Sequence, residues 1–397
     1  MIIKRIDHLF DIVFSILLLS LSISMAVPNI LLGVLFLLFL LKKKKKIFSV
    51  LYIKLLGLFV LFIFTKAIFF ESFIDNIYLY KHLVVILLLS LLVFNTKNIY
   101  SLIKAYVLGV FIGVIISVVN IFNFYLDNNF FPFGNTSQVL DLLLIHRPYF
   151  GFMCFVAIVL IYILINKAKS KKEKKVFLIL GIIILGFLFT IVARLSLLLA
   201  LSYIILRVIM RFKLSKTKLI FAMSLCIFVL AGIFLVNKNI KNRFYIKDSY
   251  KETVKVLKNQ EPRFVIWNCS LKQLKESEFN IFIGHKNRSE IQDNLTACYN
   301  LDIDNVSKRN YYLKTNFNTH NQFVDIFLDG GLIGFVLFTV ILLLCCYFFR
   351  NNFDAIFILF GMSFFLLVEN LFHRQLGVYL FGTFIPLFYK MITVQKE

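Results

Sequence analysis

Residues 319–338 read THNQFVDIFLDGGLIGFVLF, a polar beginning that turns into a long apolar run. His320 and Asn321 stand near its start, and two aspartates and three glycines follow. The apolar run continues to about residue 348, and ~20 apolar residues in a helix are enough to cross a ~30 Å hydrocarbon core. The stretch therefore predicts a membrane-spanning helix whose first turns are polar and rich in glycine.

Apolar runs of this kind recur along all 397 residues, of which 60% are hydrophobic. Soluble domains are about 45–50% apolar, so the excess indicates a lipid environment. We expect an all-α polytopic membrane protein with about 12 transmembrane helices. The predicted spans lie near residues 9–25, 27–41, 50–66, 80–95, 100–122, 148–166, 176–193, 195–210, 218–236, 321–348, 355–371 and 376–392.

The net charge of +23 could indicate a nucleic-acid partner, but the basic residues cluster between the apolar runs. With the N-terminus inside, the clusters at 42–46, 167–175 and 211–218 all fall in the cytoplasm, as the positive-inside rule requires. We interpret this charge as a topology signal that faces anionic membrane lipid. Both termini are then cytoplasmic, and nucleic acid is not an expected partner.

The same count of spans divides the chain into three parts. Residues 1–236 would form transmembrane helices 1–9, residues 237–320 an extracytoplasmic loop subdomain, and residues 321–397 transmembrane helices 10–12. Cys269 and Cys298 both lie in the loop, where an oxidising compartment would allow a disulfide between them. The sequence does not give the distance between them, so the bonded and the free forms are both open.

Two arginines are candidates for binding phosphate. Arg194 lies between apolar stretches in FTIVARLSLLLALS, and an arginine at membrane depth costs ~2.5–3.5 kcal/mol to insert. It either reaches the headgroups as an interfacial residue or holds a phosphate with its planar guanidinium. Arg263 follows Pro262 at a predicted helix start, where it is either a solvated loop residue or a second phosphate ligand.

His320 stands where the loop re-enters the membrane. A neutral imidazole there could take a proton from a hydroxyl near pH 7, and the alternative is a helix-capping role. Glu369 and Arg374 flank a short outer turn, either as an ion pair or as substrate contacts. We expect no metal and no cofactor. Polar residues that could support the site are Asn321, Asp329, Glu369, Arg374, His146 and Arg147.

Several stretches together resemble one known family. They are VARLSLLLALS at 192–202, RFVIW at 263–267, HNQF at 320–323, DGGLIGF at 329–335 and LVENLFHRQLGVYLF at 367–381. In this order and spacing, over residues 140–390, they resemble the O-antigen ligase and polymerase family of bacterial membrane glycosyltransferases. No single stretch is decisive, and the combination carries the resemblance.

The resemblance implies a GT-C-like fold with one large periplasmic loop, in the bacterial inner membrane. It implies a donor glycan on undecaprenyl diphosphate, and its transfer to a hydroxyl of lipid A–core or of another glycan. His320 would be the catalytic base, and Arg194 and Arg263 would hold the diphosphate leaving group. Transfer would need no metal and would invert the anomeric configuration.

The residues leave several functions open. The compact loop favours an O-antigen ligase, which moves a finished polysaccharide to lipid A–core. A polymerase that joins lipid-linked repeat units needs the same residues, as does a relative that glycosylates protein hydroxyls. A transporter of lipid-linked sugars is a different class, in which the intramembrane charges would line a path and His320 would not act as a base. Repeated or broken spans in corresponding halves are typical of such transporters, and we see none in the sequence.

Overall fold

The computed structural model describes residues 2–42, 49–74, 76–131, 142–212, 249, 252 and 261–394. These residues form α-helices and contain no β-strand. The helices are α1 (Ile2–Ser20), α2 (Ala26–Leu41), α3 (Leu51–Phe69), α4 (Ile77–Asn95), α5 (Ile99–Asn128), α6 (Arg147–Lys167), α7 (Lys171–Ile191), α8 (Arg194–Phe212), α9 (Arg263–Lys272), α10 (Ser289–Asp302), α11 (Val306–Thr315), α12 (Gln322–Phe349), α13 (Phe353–Val368) and α14 (Gln375–Val394).

The all-helical prediction is confirmed for the described residues. Seven of their helices are long and apolar enough to cross a membrane: α3, α4, α5, α6, α7, α12 and α14. Two shorter apolar helices, α2 and α13, also coincide with predicted spans. The predicted span at 218–236 lies outside the described residues, so the count of about twelve and the GT-C-like arrangement stay predictions.

The chain forms two compact units. The first contains residues 1–10, 35–97 and 260–397, and the second contains residues 11–34 and 98–259. Of the predicted domain boundaries, the one at 236 lies outside the described residues and the one at 320 lies within the first unit. The three-part division of the chain remains a prediction.

In the first unit, α14 packs along α4, and α12 packs along α3. The Tyr52 and Tyr389 rings are 5.6 Å apart, centroid to centroid, in the core. Lys390 in α14 donates from Nζ to the carbonyls of Val93 and Phe94, each at 3.1 Å. The Val93 carbonyl also accepts the N–H of Thr96 at 3.2 Å, and the lysine adds a further donor to these last carbonyls of α4, which links the C-terminal end of α4 to α14.

In the second unit, α6 is the most enclosed helix and contacts α5, α7 and α8. Gly151 in α6 allows this close packing, because a Cβ there would lie 2.3 Å from the Cβ of Ala193. Ala193 immediately precedes α8, so Gly151 determines how closely the start of α8 approaches α6.

The loop subdomain in the first unit consists of α9, α10 and α11 around a small hydrophobic cluster. Cys269 of α9 and Cys298 of α10 are joined by a disulfide, with their Cα atoms 5.7 Å apart. The lone tryptophan, Trp267, packs against the same cluster. The fully buried members are Ile266, Cys269, Leu295, Tyr299, Ile303 and Tyr312.

Replacing both Cys269 and Cys298 by alanine is expected to lower the free energy of unfolding of the loop subdomain by about 3–4 kcal/mol, because the disulfide closes a segment of 29 residues. Thermal unfolding followed by Trp267 fluorescence measures the change. The matched control is Cys346→Ser, at an exposed free cysteine. An unchanged midpoint in the double variant would contradict a stabilising role for the disulfide.

Candidate functional site

The transmembrane helix α12 is broken at Gly331, whose φ of 58° and ψ of −157° are not helical. The break separates a short piece, 322–330, which carries Asp325 and Asp329, from a long apolar piece, 332–349. A turn of the loop fills it: Leu332 and Ile333 donate their N–H groups to the carbonyls of Ile281 and Phe282, at 2.8 and 3.1 Å. Backbone that leaves the helix at membrane depth must find other protein partners, and this turn supplies them.

Two glycines make this contact possible. Gly331 and Gly284 both have positive φ, at 58° and 77°. A Cβ on Gly331 would lie 2.3 Å from the Phe282 carbonyl carbon, and one on Gly284 would lie 2.4 Å from the Leu328 carbonyl oxygen. Any side chain at either position would therefore displace the turn from the helix break. Next to the turn, the N–H of His285 donates to the Leu328 carbonyl at 2.8 Å.

Four charged side chains are buried beside the break. Arg288 of the loop donates from one terminal nitrogen to Asp325 at 2.6 Å and from the other to Asp329 at 2.8 Å. Lys66 of α3 pairs with Asp329 at 3.1 Å. Burial by itself would lower the pKa of Arg288, but the charges of Asp325 and Asp329 outweigh it and hold that pKa above its ordinary value. Two positive and two negative charges thus neutralise each other in one buried cluster.

His320 lies just before α12 in a left-handed backbone conformation, with φ of 44°. The Asn318 side chain accepts the N–H of His320 at 3.1 Å, and the Asn321 side chain caps the first N–H groups of α12. His320 Nδ1 lies 3.3 Å from Oε2 of Glu369, although the two are not aligned for a hydrogen bond. A rotation of the imidazole ring would be needed to align them.

Arg263, the first residue of α9, contacts the same carboxylate. Its guanidinium donates to Glu369 at 2.8 Å, to Glu261 at 2.6 Å and to the Val368 carbonyl at 3.0 Å. These three contacts use three of its five N–H donors. Two carboxylates around one guanidinium make the local charge negative, so the first effect of Arg263 is to fix Glu369 beside His320.

Asp325 connects the buried charges to this pair. Its Oδ1 accepts from the Thr319 hydroxyl at 3.4 Å and from the Asn370 amide at 3.3 Å, and Asn370 also donates to Thr319 at 2.7 Å. Thr319 precedes His320, and Asn370 follows Glu369. One buried carboxylate therefore positions the backbone on both sides of the histidine–glutamate pair.

A small polar cavity of about 130 Å³ lies beside these residues. His373 borders it, with Nε2 at 3.1 Å from Asp325 and 2.5 Å from Arg288. A volume of this size takes a few water molecules, at ~30 Å³ each, or the hydroxyl-bearing edge of a larger ligand. The lining residues are Asn76, Arg288, Ser289, Ile291, Gln292, Leu295, Asn318, Thr319, Asp325 and His373.

The other candidate residues predicted from the sequence are not among the contacts of His320 and Glu369 described above. Arg194 is the half-buried first residue of α8, directly after α7 ends with Val192 in the left-handed region. Arg147 is the buried first residue of α6, with His146 at the N-cap position. Arg194, Arg147 and His146 belong to the second unit, whereas His320, Arg263 and Glu369 belong to the first. Arg374, also in the first unit, is exposed after a 3₁₀ turn.

Sequence reasoning missed the importance of Lys66 and Arg288. Lys66 had a signal, because it lies inside the apolar stretch LFIFTKAIFF, where a lone lysine implies a buried acidic partner. Arg288 had none, because its loop contains many polar residues of both charges. Glu369 was considered with Arg374, but the described structure pairs it with Arg263.

His285 is a fully buried histidine beside the helix break. Its Nδ1 lies 3.4 Å from Glu290, and its ring centroid is 5.4 Å from that of Phe279. Burial lowers the pKa of His285, and the Glu290 charge offsets this only in part. The folded protein therefore holds this imidazole neutral at pH 7.

The loop is expected to lose stability as the pH falls below about 6.5, the ordinary pKa of histidine. In that range the unfolded chain takes up a proton at His285 that the folded chain does not, so protonation favours unfolding. The Trp267 unfolding midpoint at pH 7.5 and 5.5 measures the loss, and His285→Gln should reduce it. His8→Gln, at an exposed histidine, is the control. Equal pH dependence in wild type and His285→Gln would contradict this prediction.

Residues 176–339 match the family model described as O-antigen ligase. The matched range contains Arg194, Arg263, Arg288 and His320, and it ends in α12 just beyond the break. No curated protein matches the chain closely.

Proposed function

We propose that the chain is an O-antigen ligase, a glycosyltransferase of the family whose model matches residues 176–339. It transfers a glycan from undecaprenyl diphosphate to a hydroxyl of lipid A–core at the periplasmic face of the bacterial inner membrane. The observation that carries this proposal is the His320–Glu369 pair at the polar start of α12, with Arg263 against the same carboxylate.

In this mechanism His320 is the general base. Glu369 accepts a hydrogen bond from Nδ1–H, which fixes the tautomer whose Nε2 carries the lone pair. Nε2 takes the proton from the acceptor hydroxyl while its oxygen attacks the anomeric carbon of the donor. The bond from that carbon to the diphosphate breaks on the opposite side, so the configuration inverts. The diphosphate leaves with the bonding electron pair.

The departing diphosphate needs positive charge. Arg194 supplies it at the N-terminus of α8, where the helix dipole adds to the attraction for an anion. Arg263 keeps N–H donors that Glu261, Glu369 and Val368 do not use, but its two carboxylate partners outweigh its charge, so it offers hydrogen bonds to the diphosphate and Arg194 is the main cation. His146 and Arg147, at the start of α6, and Arg374 are supporting candidates. Arginines in these places can neutralise the leaving group without a metal ion.

The break in α12 suits a lipid-linked donor. The turn at 280–284 and the first piece of α12 give polar backbone and side chains to a helix that continues as an apolar membrane span. A lipid-linked donor also has a polar part, its glycan diphosphate, followed by a long apolar part, its isoprenoid tail. We place this end of the helix at the periplasmic face, with both termini in the cytoplasm and about twelve spans in a GT-C-like arrangement.

The experiment is a gel of surface polysaccharide from a deletion strain that carries the wild-type gene or an empty vector. If the protein is a ligase, the deletion strain shows lipid A–core without any O-antigen and accumulates lipid-linked polymer. The wild-type gene then restores the ladder of O-antigen bands on the gel. Core that carries a single repeat unit would instead assign the protein as the polymerase. An unchanged ladder in the deletion strain would contradict both functions.

A further inference from the structure

The second unit contains an apolar groove that the glycan-transfer mechanism does not use. It has a volume of about 340 Å³, within the ~300–1,000 Å³ range of small-molecule sites. Helices α6, α7 and α8 line it, mostly with isoleucine, leucine and valine side chains. The lining residues are Ile158, Ile161, Tyr162, Ile165, Leu178, Gly181, Ile182, Leu185, Tyr203, Ile204, Arg207, Val208 and Arg211.

Two arginines stand at one end of this groove. The Arg207 guanidinium lies 4.5 Å from the ring centroid of Tyr162, and its Nε donates to the Tyr203 hydroxyl at 3.4 Å. These aromatic contacts fix the direction of the guanidinium. Arg211, one turn further along α8, is exposed. An apolar channel that ends at two cations has the charge distribution of an acyl chain joined to a phosphate.

The groove is distinct from the position proposed for the donor diphosphate. Arg194 begins α8, and Arg207 is thirteen residues further along the same helix, or about 20 Å at 1.5 Å per residue. The arginine end of the groove is next to the connection between α6 and α7, where Lys167 ends one helix and Lys171 begins the other. This basic connection adds to the attraction for a negative headgroup.

We propose that the groove between α6, α7 and α8 binds an anionic glycerophospholipid, with one acyl chain along the groove and the phosphate on Arg207 and Arg211. A basic pocket between transmembrane helices at the cytoplasmic side is where such lipids bind. The inference does not depend on the glycan-transfer reaction, because it uses neither His320 nor Arg194.

Purified full-length protein in a neutral detergent would be titrated with phosphatidylglycerol or phosphatidylethanolamine of the same acyl composition, with bound lipid counted by native mass spectrometry. We expect phosphatidylglycerol to bind at least about fivefold more tightly, since each interfacial arginine contributes about that factor. Arg211→Gln should reduce this preference about fivefold. Arg350→Gln is the matched control, because Arg350 also lies over a tyrosine ring but outside the groove.

A second variant tests the apolar part. Gly181 lines the groove, and a Cβ there would only reach ordinary contact with Ile161 at 3.4 Å, so Gly181→Leu should fill the groove without disturbing α7. It should weaken the binding of both lipids. Equal affinity for the two lipids, or unchanged phosphatidylglycerol binding in both Arg211→Gln and Gly181→Leu, would overturn the proposal. Tighter binding of undecaprenyl phosphate that Gly181→Leu abolishes would also overturn it, by assigning another occupant.

Discussion

Replacing His320 is expected to reduce glycan transfer by about 10²–10⁴-fold, the contribution of a positioned general base. The residue has a left-handed backbone with φ of 44°, which an alanine adopts at a cost of about 1–2 kcal/mol. We therefore choose His320→Asn as the main variant, because asparagine tolerates this conformation. Transfer from a lipid-linked donor to the acceptor, measured with purified protein, gives the rate.

Two further variants make this test specific. Glu369→Gln should lower the rate less than His320→Asn, because it removes the group that orients the base and keeps the base itself. His8→Gln changes an exposed histidine and should leave transfer unchanged. If His320→Asn folds normally, by its Trp267 unfolding midpoint, and transfers glycan at the wild-type rate, His320 is not the base.

Replacing Arg288 by alanine is expected to destabilise the protein by about 3–5 kcal/mol, because it leaves buried carboxylates without their main partner. Lys66 would still pair with Asp329, while Asp325 would keep its contacts with Thr319, Asn370 and His373. The change should appear as a lower unfolding midpoint of Trp267 fluorescence and as loss of transfer, since Asp325 also holds the segments beside His320.

The pairing itself can be tested with a second substitution. Adding Asp325→Asn to Arg288→Ala should recover part of the lost stability, because it removes one of the uncompensated charges. Arg309→Ala, at a loop arginine whose contact with the Asn300 carbonyl is 3.5 Å long, is the matched control. If Arg288→Ala unfolds at the same temperature as Arg309→Ala, the buried charges do not depend on Arg288.

The sequence predicted the elements but not the pairs between them. Apolar runs with basic connections located the helices, because burial in lipid requires long apolar segments whatever their partners. The glycines of DGGLIGF indicated close backbone approach, and Gly331 does adopt a conformation that requires glycine. The Lys66–Asp329 pair joins residues 263 positions apart. The sequence around either residue does not identify the other as its partner.

The candidate site was predicted in its parts and not in its geometry. His320 and Glu369 were recognised from their positions at the ends of apolar runs, yet their proximity depends on how Asp325, Thr319 and Asn370 hold the two segments. Arg263 was expected to bind phosphate, but no feature of the sequence indicated that two carboxylates surround it. Charge at membrane depth indicates that a partner exists, whereas packing decides which one it is.

The most direct measurement uses purified protein in vesicles, with a lipid-linked glycan as donor and lipid A–core as acceptor. Glycosylated acceptor and free undecaprenyl diphosphate are quantified over time for wild type and His320→Asn. If the protein transfers glycan, the wild type forms glycosylated acceptor and undecaprenyl diphosphate in equal amounts. His320→Asn then forms neither product at a comparable rate. Movement of intact donor across the vesicle membrane by both proteins, with no bond broken, would contradict it and assign the protein as a transporter.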